Sequence, residues 1–211
     1  MRTDKTKALV VATCIAFILL SVRIIHTGTF KYIFLGWNIV LAWIPYLISG
    51  WLQHIQPAKK WSAAILLSVW LLFLPNAPYI ITDFIHLHHR PPVPFMFDIS
   101  LLFIFSFTGL ALGLLSIQRT EAWWKEHRPG IATSKLLMMV FLLCGFGIYL
   151  GRVERWNSWD IVTDPDGLAL EIIQKLVHPI SNMETWGTTF LFALLMRITY
   201  GVLKTLPASV K

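Results

Sequence analysis

Charge is scarce in this chain. Only 14% of its 211 residues are Asp, Glu, Lys or Arg, against about a quarter in an average soluble domain. Cysteine is scarcer still: there are two, Cys14 and Cys144. Both sit inside apolar runs, so a disulfide-stapled secreted module is excluded and neither thiol reads as reactive. No long alternation of apolar and polar residues occurs, which argues against a transmembrane β-barrel. The glycine patterns of phosphate and dinucleotide loops are missing, as is a Gly-x-Ser-x-Gly elbow. None of the seven His falls mid-span, so a haem held across a bilayer has no support. No row of mid-span acids suggests a proton-driven pump. At 56% hydrophobic residues the chain also lies far from the composition of disorder.

What is present is apolar sequence in six long runs. They are Ala8–Ile25, Phe34–Leu52, the stretch from Trp61 into Leu74, Ile99–Ile117, Leu136–Gly151 and Trp186–Leu203. Each approaches the ~20 helical residues that cross a bilayer. The first follows a basic start (Arg2, Lys5, Lys7) but no small-x-small cleavage site, so it reads as an uncleaved span. The chain is expected to be an all-α polytopic membrane protein, one integral domain over residues 1–211 with six transmembrane helices. A short extracytoplasmic helix is expected at Leu168–Val177 in the last loop, ended by His178-Pro179.

Charge asymmetry orients the spans. With six crossings both termini share a side, and that side collects eleven of the 18 basic residues but three of the 11 acids. The opposite side holds six basic residues and eight acids, with Arg197 inside the sixth span. The positive-inside rule then predicts a cell-membrane protein with both termini cytoplasmic. The net charge of +7 is thus a topology signal. It is no nucleic-acid footprint, because no nucleic-acid-binding motif accompanies it.

The cytoplasmic connections Gln53–Lys60 and Gln118–Lys135 read as plain polar loops. The extracytoplasmic ones do not. Ile80–Asp98 carries Asp83, three His and a Pro-rich run, and Arg152–Thr185 is longer, with a turn signal at Asp164-Pro165-Asp166-Gly167. Two small-residue spacings, Gly109-x-x-x-Gly113 and Gly147-x-x-x-Gly151, mark close helix contacts, read as seams within the monomer.

Three polar blocks could carry chemistry. In LPNAPYIITDFIHL (Leu74–Leu87), Pro75 and Pro78 break the third span and free backbone carbonyls. Asn76 and Tyr79 sit at the break, and Asn76 is expected to bond freed backbone or another block. Asp83 and His86, one turn apart, could form an acid/base pair. In the second block, Phe97-Asp98, Asp98 reads as a helix cap or as part of a site. The third, GRVERWNSWD (Gly151–Asp160), offers Arg152, Arg155, Trp156, Asn157, Ser158 and Asp160. Arg forks suit phosphate or carboxylate. The plain alternative is an interfacial Arg/Trp anchor, with salt bridges to Glu154 and Asp160. A metal could use Asp83, His86, His88, His89 and Asp98, but the spacing matches no zinc signature, so no metal is assigned. Arg197 reads as a snorkelling side chain.

In this order the three blocks resemble the signature of a family of bacterial multi-pass membrane proteins known as a domain of unknown function. The resemblance covers nearly the whole chain. It implies a bacterial integral membrane protein and no particular activity. Where the family's third block often has Phe, this chain has Val153, and Phe97 stands where Tyr often precedes the Asp; both changes affect packing, not polar groups. A signature built from polar loop residues fits a shared site better than a generic anchor.

Three functions stay open: an enzyme acting on a lipid or lipid-linked substrate in the outer leaflet, a transporter or accessory subunit, and a structural helix bundle. For the enzyme, Asp83, His86 and Asp98 are the catalytic candidates. Asn76, Tyr79, Arg152, Arg155, Trp156, Asn157, Ser158 and Asp160 are the binding ones. Arg152 or Arg155 is expected within salt-bridge reach of Asp83 or Asp98, since an unpaired charge at a span's end costs several kcal/mol. The implied partners are membrane lipids and an anionic or phosphate-bearing ligand, without nucleic acid. Nothing specifies a cofactor.

Overall fold

The computed structural model describes residues 2–55, 60–88, 93–128, 130 and 132–205. Its elements are α1 (Arg2–Thr27), α2 (Ile33–Leu52), α3 (Lys60–Phe73), α4 (Asn76–Tyr79), a 3-10 helix (Ile80–His86), α5 (Phe95–His127), α6 (Thr133–Arg152), α7 (Asp160–Thr163), α8 (Pro165–Val177) and α9 (Met183–Thr205). No strand occurs among the described residues. Six helical stretches are long and apolar enough to cross a membrane: Asp4–Thr27, Ile33–Leu52, Trp61–His86, Phe95–His127, Thr133–Arg152 and Met183–Thr205. Their outward faces expose large apolar side chains such as Ile18, Phe103, Phe107, Leu191 and Leu194. Lipid tolerates such faces and water does not. The chain is an all-α, multi-pass membrane protein.

It divides into two compact units, Met1–Thr120 and Glu121–Lys211. In the first, α2 supplies the spine of the core. Tyr32, Leu35, Ile39, Ala42 and Tyr46 recur at helical spacing and bury against Ala16 and Leu20 of α1 and Leu101, Leu102, Phe105 and Leu112 of α5.

The third span breaks where its prolines predict. Pro75 cannot donate to Leu71 or Pro78 to Leu74, so the ladder fails for a turn. Repair is local. The Ala77 N–H donates to the Leu74 carbonyl (3.1 Å), the Tyr79 N–H to Pro75 (3.0 Å), and the Asn76 amide to the freed Phe73 carbonyl (3.0 Å). Asn76 thus does what the sequence demanded of a buried amide in lipid. After Tyr79 the chain tightens into the 3-10 helix. A Cβ at Gly109 would lie 2.7 Å from the Ala77 carbonyl oxygen, and one at Gly113 2.9 Å from the Ala77 Cβ. That small-residue pair is therefore a seam inside the unit, holding the broken turn against α5. Ser106 Oγ donates to the Ile80 carbonyl (3.0 Å) and anchors the start of the 3-10 helix.

At the end of this unit that carries the N-terminus, Arg119 of α5 stacks on Tyr46 (4.0 Å) and donates to its hydroxyl (2.7 Å). The Gln53 amide donates to the Arg119 carbonyl (2.9 Å), and Thr6 Oγ1 shares a 2.7 Å bond with the Tyr46 hydroxyl. The apolar spans of the unit therefore run between two polar ends.

In the second unit α6 packs along α9. A close approach falls at Gly145, against the Thr189 carbonyl. Two local expectations need correction. α5 continues to His127 rather than ending near Ile117, because Gln118–His127 is rich in helix formers and meets no Pro or Gly before Pro129. The Asp164–Gly167 turn is instead the start of α8: Asp164 caps it, accepting the Gly167 N–H at 3.0 Å, and Pro165 occupies the first helical position. Past Arg152 the third block is irregular, apart from the short α7.

Candidate functional site

The end of the first unit opposite the N-terminus gathers polar groups from four elements. Asp98, in the first turn of α5, is 3% exposed, and Arg23, near the end of α1, is 5% exposed. They form a two-point pair, Nε to Oδ1 at 2.7 Å and Nη2 to Oδ2 at 3.2 Å. A carboxylate at a helix start and a cation at a helix end each also oppose a helix dipole. The sequence offered Asp98 as a helix cap; its carboxylate instead takes Arg23. The guanidinium lies 4.3 Å from the centre of the Tyr32 ring. Its Nη1, also buried, has no hydrogen-bond partner among the described residues.

Tyr32 links this pair to the first block. Its hydroxyl donates to the His86 carbonyl (3.1 Å), and the Lys31 ammonium sits 4.9 Å from its ring. The His86 side chain is exposed, and its ring meets Phe34 edge-on at 5.1 Å. His88 Nδ1 also lies 3.0 Å from the His86 carbonyl. One 3-10 turn earlier, Asp83 is 1% exposed and accepts from the Asn38 amide of α2 at 2.8 Å. Side chains three apart nearly eclipse in a 3-10 helix, so Asp83 and His86 follow one another along one edge. Asn76 and Tyr79 lie in the turn just before, both half-buried.

Sequence reasoning found Asp83, His86 and Asp98 and missed Arg23, Lys31, Tyr32 and Asn38. Asn38 was visible as a lone amide in an apolar span, and Arg23 as a charge closing one. No three His, Cys, Asp or Glu side chains come together as a metal would need among the described residues. His89 lies outside those residues.

The third block belongs to the second unit. Arg152, half-buried, closes α6, and Arg155 is exposed with φ 64, a left-handed backbone that non-glycine residues seldom adopt. That bend lets the Trp156 N–H donate back to the Leu150 carbonyl (3.0 Å). Asn157 and Asp160 serve one another. The Asp160 carboxylate accepts from the Asn157 N–H (2.6 Å) and from Thr163 Oγ1 (2.9 Å), which ties the loop to the start of α7. That backbone N–H holds the Asp160 carboxyl below its usual range. Ser158 and Trp156 are half-buried beside it.

Glu154 is bound neither to Arg152 nor to Arg155. It pairs with Lys175 of α8 at 2.6 Å and accepts from the Tyr149 hydroxyl at 3.0 Å, while Lys175 also reaches Glu171 at 2.9 Å. The Lys175 ammonium holds the Glu154 carboxyl below the usual range, and Glu154 and then Glu171 push Lys175 up. This knot pins α8 to the end of α6 and leaves the apolar face of α8, with Leu170, Ile173 and Leu176, exposed.

Sequence reasoning also placed Glu121 in a cytoplasmic loop. It is buried near the end of α5, accepting from Tyr200 (2.5 Å), Lys204 (2.6 Å) and Lys125 (3.1 Å).

An all-α membrane bundle with buried ion pairs at its helix ends is the class that fold and site define. The chain belongs to the family described as Protein of unknown function (DUF1361), which it matches over residues 37–199. No curated protein and no solved structure matches it.

Proposed function

We propose that this protein is an enzyme acting on a lipid or lipid-linked substrate at the extracytoplasmic face of the membrane. His86 is the proton-transferring group and Asp83 the carboxylate behind it. The observation that carries this reading is the state of His86. Its imidazole is exposed, yet its carbonyl is held by Tyr32 and its ring by Phe34, one turn beyond a carboxylate fixed by Asn38. An exposed, held imidazole suits general acid/base work, because it can both take up and give up a proton. Ionisable groups at the end of a span are costly and default to function. In this reading Asp98, paired with Arg23, positions the start of α5 and takes no part in proton transfer.

A second reading, a structural lock, is favoured by the two-point Arg23–Asp98 pair. The two readings part at His86, which bears on catalysis and little on folding. The test is a lipid profile of cells lacking the gene and carrying either the wild-type or the His86→Ala chain. Wild type should consume a lipid species that His86→Ala leaves standing, with turnover down about 10²–10⁴-fold and an unchanged unfolding midpoint in detergent. Identical profiles from folded wild type and His86→Ala would end the enzyme reading and leave the lock.

A further inference from the structure

Within the second unit a cavity of about 720 Å³ opens where α6 begins and α9 finishes. Its polar lining is Lys125, Arg197, Lys204, Thr133, Ser134 and Glu121. Three cations thus face one carboxylate. Glu121 already binds both lysines and the Tyr200 hydroxyl, which fixes the two ammonium groups in place. Arg197 forms no hydrogen bond or ion pair with another described residue, and its side chain is exposed. The wall beside it is apolar, with Leu137 and Phe141. α6 starts on this cavity, and its cap residue, Ala132, makes no side-chain cap bond.

We infer that this cavity binds the phosphate headgroup of an anionic phospholipid, independently of the acid/base reading above. Charge sets the sign of the ligand: two fixed ammonium groups, a free guanidinium and a helix start all favour an anion. Depth sets its kind. Arg197 lies seven residues before Lys204, about 10 Å further along α9, where the wall is apolar. A soluble anion is served at the mouth by the lysines. A phospholipid brings its phosphate down to the guanidinium and lays its chains on Leu137 and Phe141. The charge pattern puts this end on the cytoplasmic side, where anionic lipids meet basic pockets between helices.

The test follows the unfolding midpoint of the full chain in neutral detergent. The additions are phosphatidylglycerol, phosphatidylcholine or inorganic phosphate, each at equal concentration. Phosphatidylglycerol should raise the wild-type midpoint by roughly 5–10 °C at saturation, and the other two by far less. Arg197→Ala should unfold at the wild-type midpoint without lipid, since the side chain has no partner to lose. It should forfeit most of the phosphatidylglycerol shift, while Arg197→Lys keeps most of it. Lys135→Ala, an exposed basic residue outside the cavity, should keep the full shift, which excludes bulk attraction. Equal shifts from phosphatidylcholine, an undiminished shift in Arg197→Ala, or loss in Lys135→Ala would overturn the proposal. A full shift from inorganic phosphate alone would also overturn it, in favour of a soluble anion.

Discussion

Asp98→Ala should destabilise the first unit by about 3–5 kcal/mol, among the largest losses for any single side chain in this protein. The reason is what remains. Arg23 is 5% exposed, one of its terminal nitrogens lacks a partner among the described residues, and Asp98 accepts both of its side-chain hydrogen bonds. Removing the carboxylate leaves a full charge between α1 and α5 in surroundings that water reaches poorly. Arg23→Ala should cost a similar amount for the mirror reason. An Arg23→Met, Asp98→Leu double variant removes both charges and keeps the volume, so it should recover most of the loss. Unfolding in a graded series of sodium dodecyl sulfate in mixed micelles reads all three. Two single losses that simply add in the double variant would mean the charges do not depend on one another.

Gly145→Ala should be the other severe change. A Cβ there would overlap the Thr189 carbonyl oxygen and come within 3.1 Å of its carbon and 3.2 Å of its Cα. All three are backbone atoms of α9, so no rotamer can move aside. The helices must separate, and α6 loses the close contact that organises the second unit. Overpacking of this kind costs about 1–3 kcal/mol for one methyl, and Gly145→Val should exceed it. Gly187→Ala is the control, since a Cβ there meets nothing within 4 Å. Equal stability of Gly145→Ala and Gly187→Ala would show that the α6–α9 contact is looser than drawn.

The spans were legible because each is a single long apolar run, and lipid leaves backbone in such a run no alternative to helix. The break at Pro75–Pro78 was legible for the same kind of reason: a missing N–H has the same consequence in any fold. Boundaries outside the apolar runs were not. Gln118–His127 looks polar enough for a loop, yet it forms helix and buries Glu121 and Trp123, a choice made by partners on α9 that lie about 80 residues further on. At the site, Asp83 and Asp98 stood out as charges near the ends of spans, but their partners Asn38 and Arg23 are 45 and 75 residues away. Nothing local selects Arg23 as the counter-ion of Asp98. The bond between Asn157 and Asp160, three residues apart, is explained locally. For the close helix contact in α6, the Gly-x-x-x-Gly spacing did not include Gly145, which meets the Thr189 carbonyl. Which glycine faces the neighbour depends on how the helix is rotated, and no single sequence states that.

Charge asymmetry predicts six crossings with His88 and Asp166 outside the cell and Lys5 and Glu126 inside. Single cysteines at Lys5, His88, Glu126 and Asp166, all exposed, in a chain carrying Cys14→Ala, can be probed with a membrane-impermeant maleimide. In intact cells His88→Cys and Asp166→Cys should label, and Lys5→Cys and Glu126→Cys should label only after permeabilisation. Labelling of Lys5→Cys and His88→Cys from the same side, or of Glu126→Cys and Asp166→Cys from the same side, would contradict it.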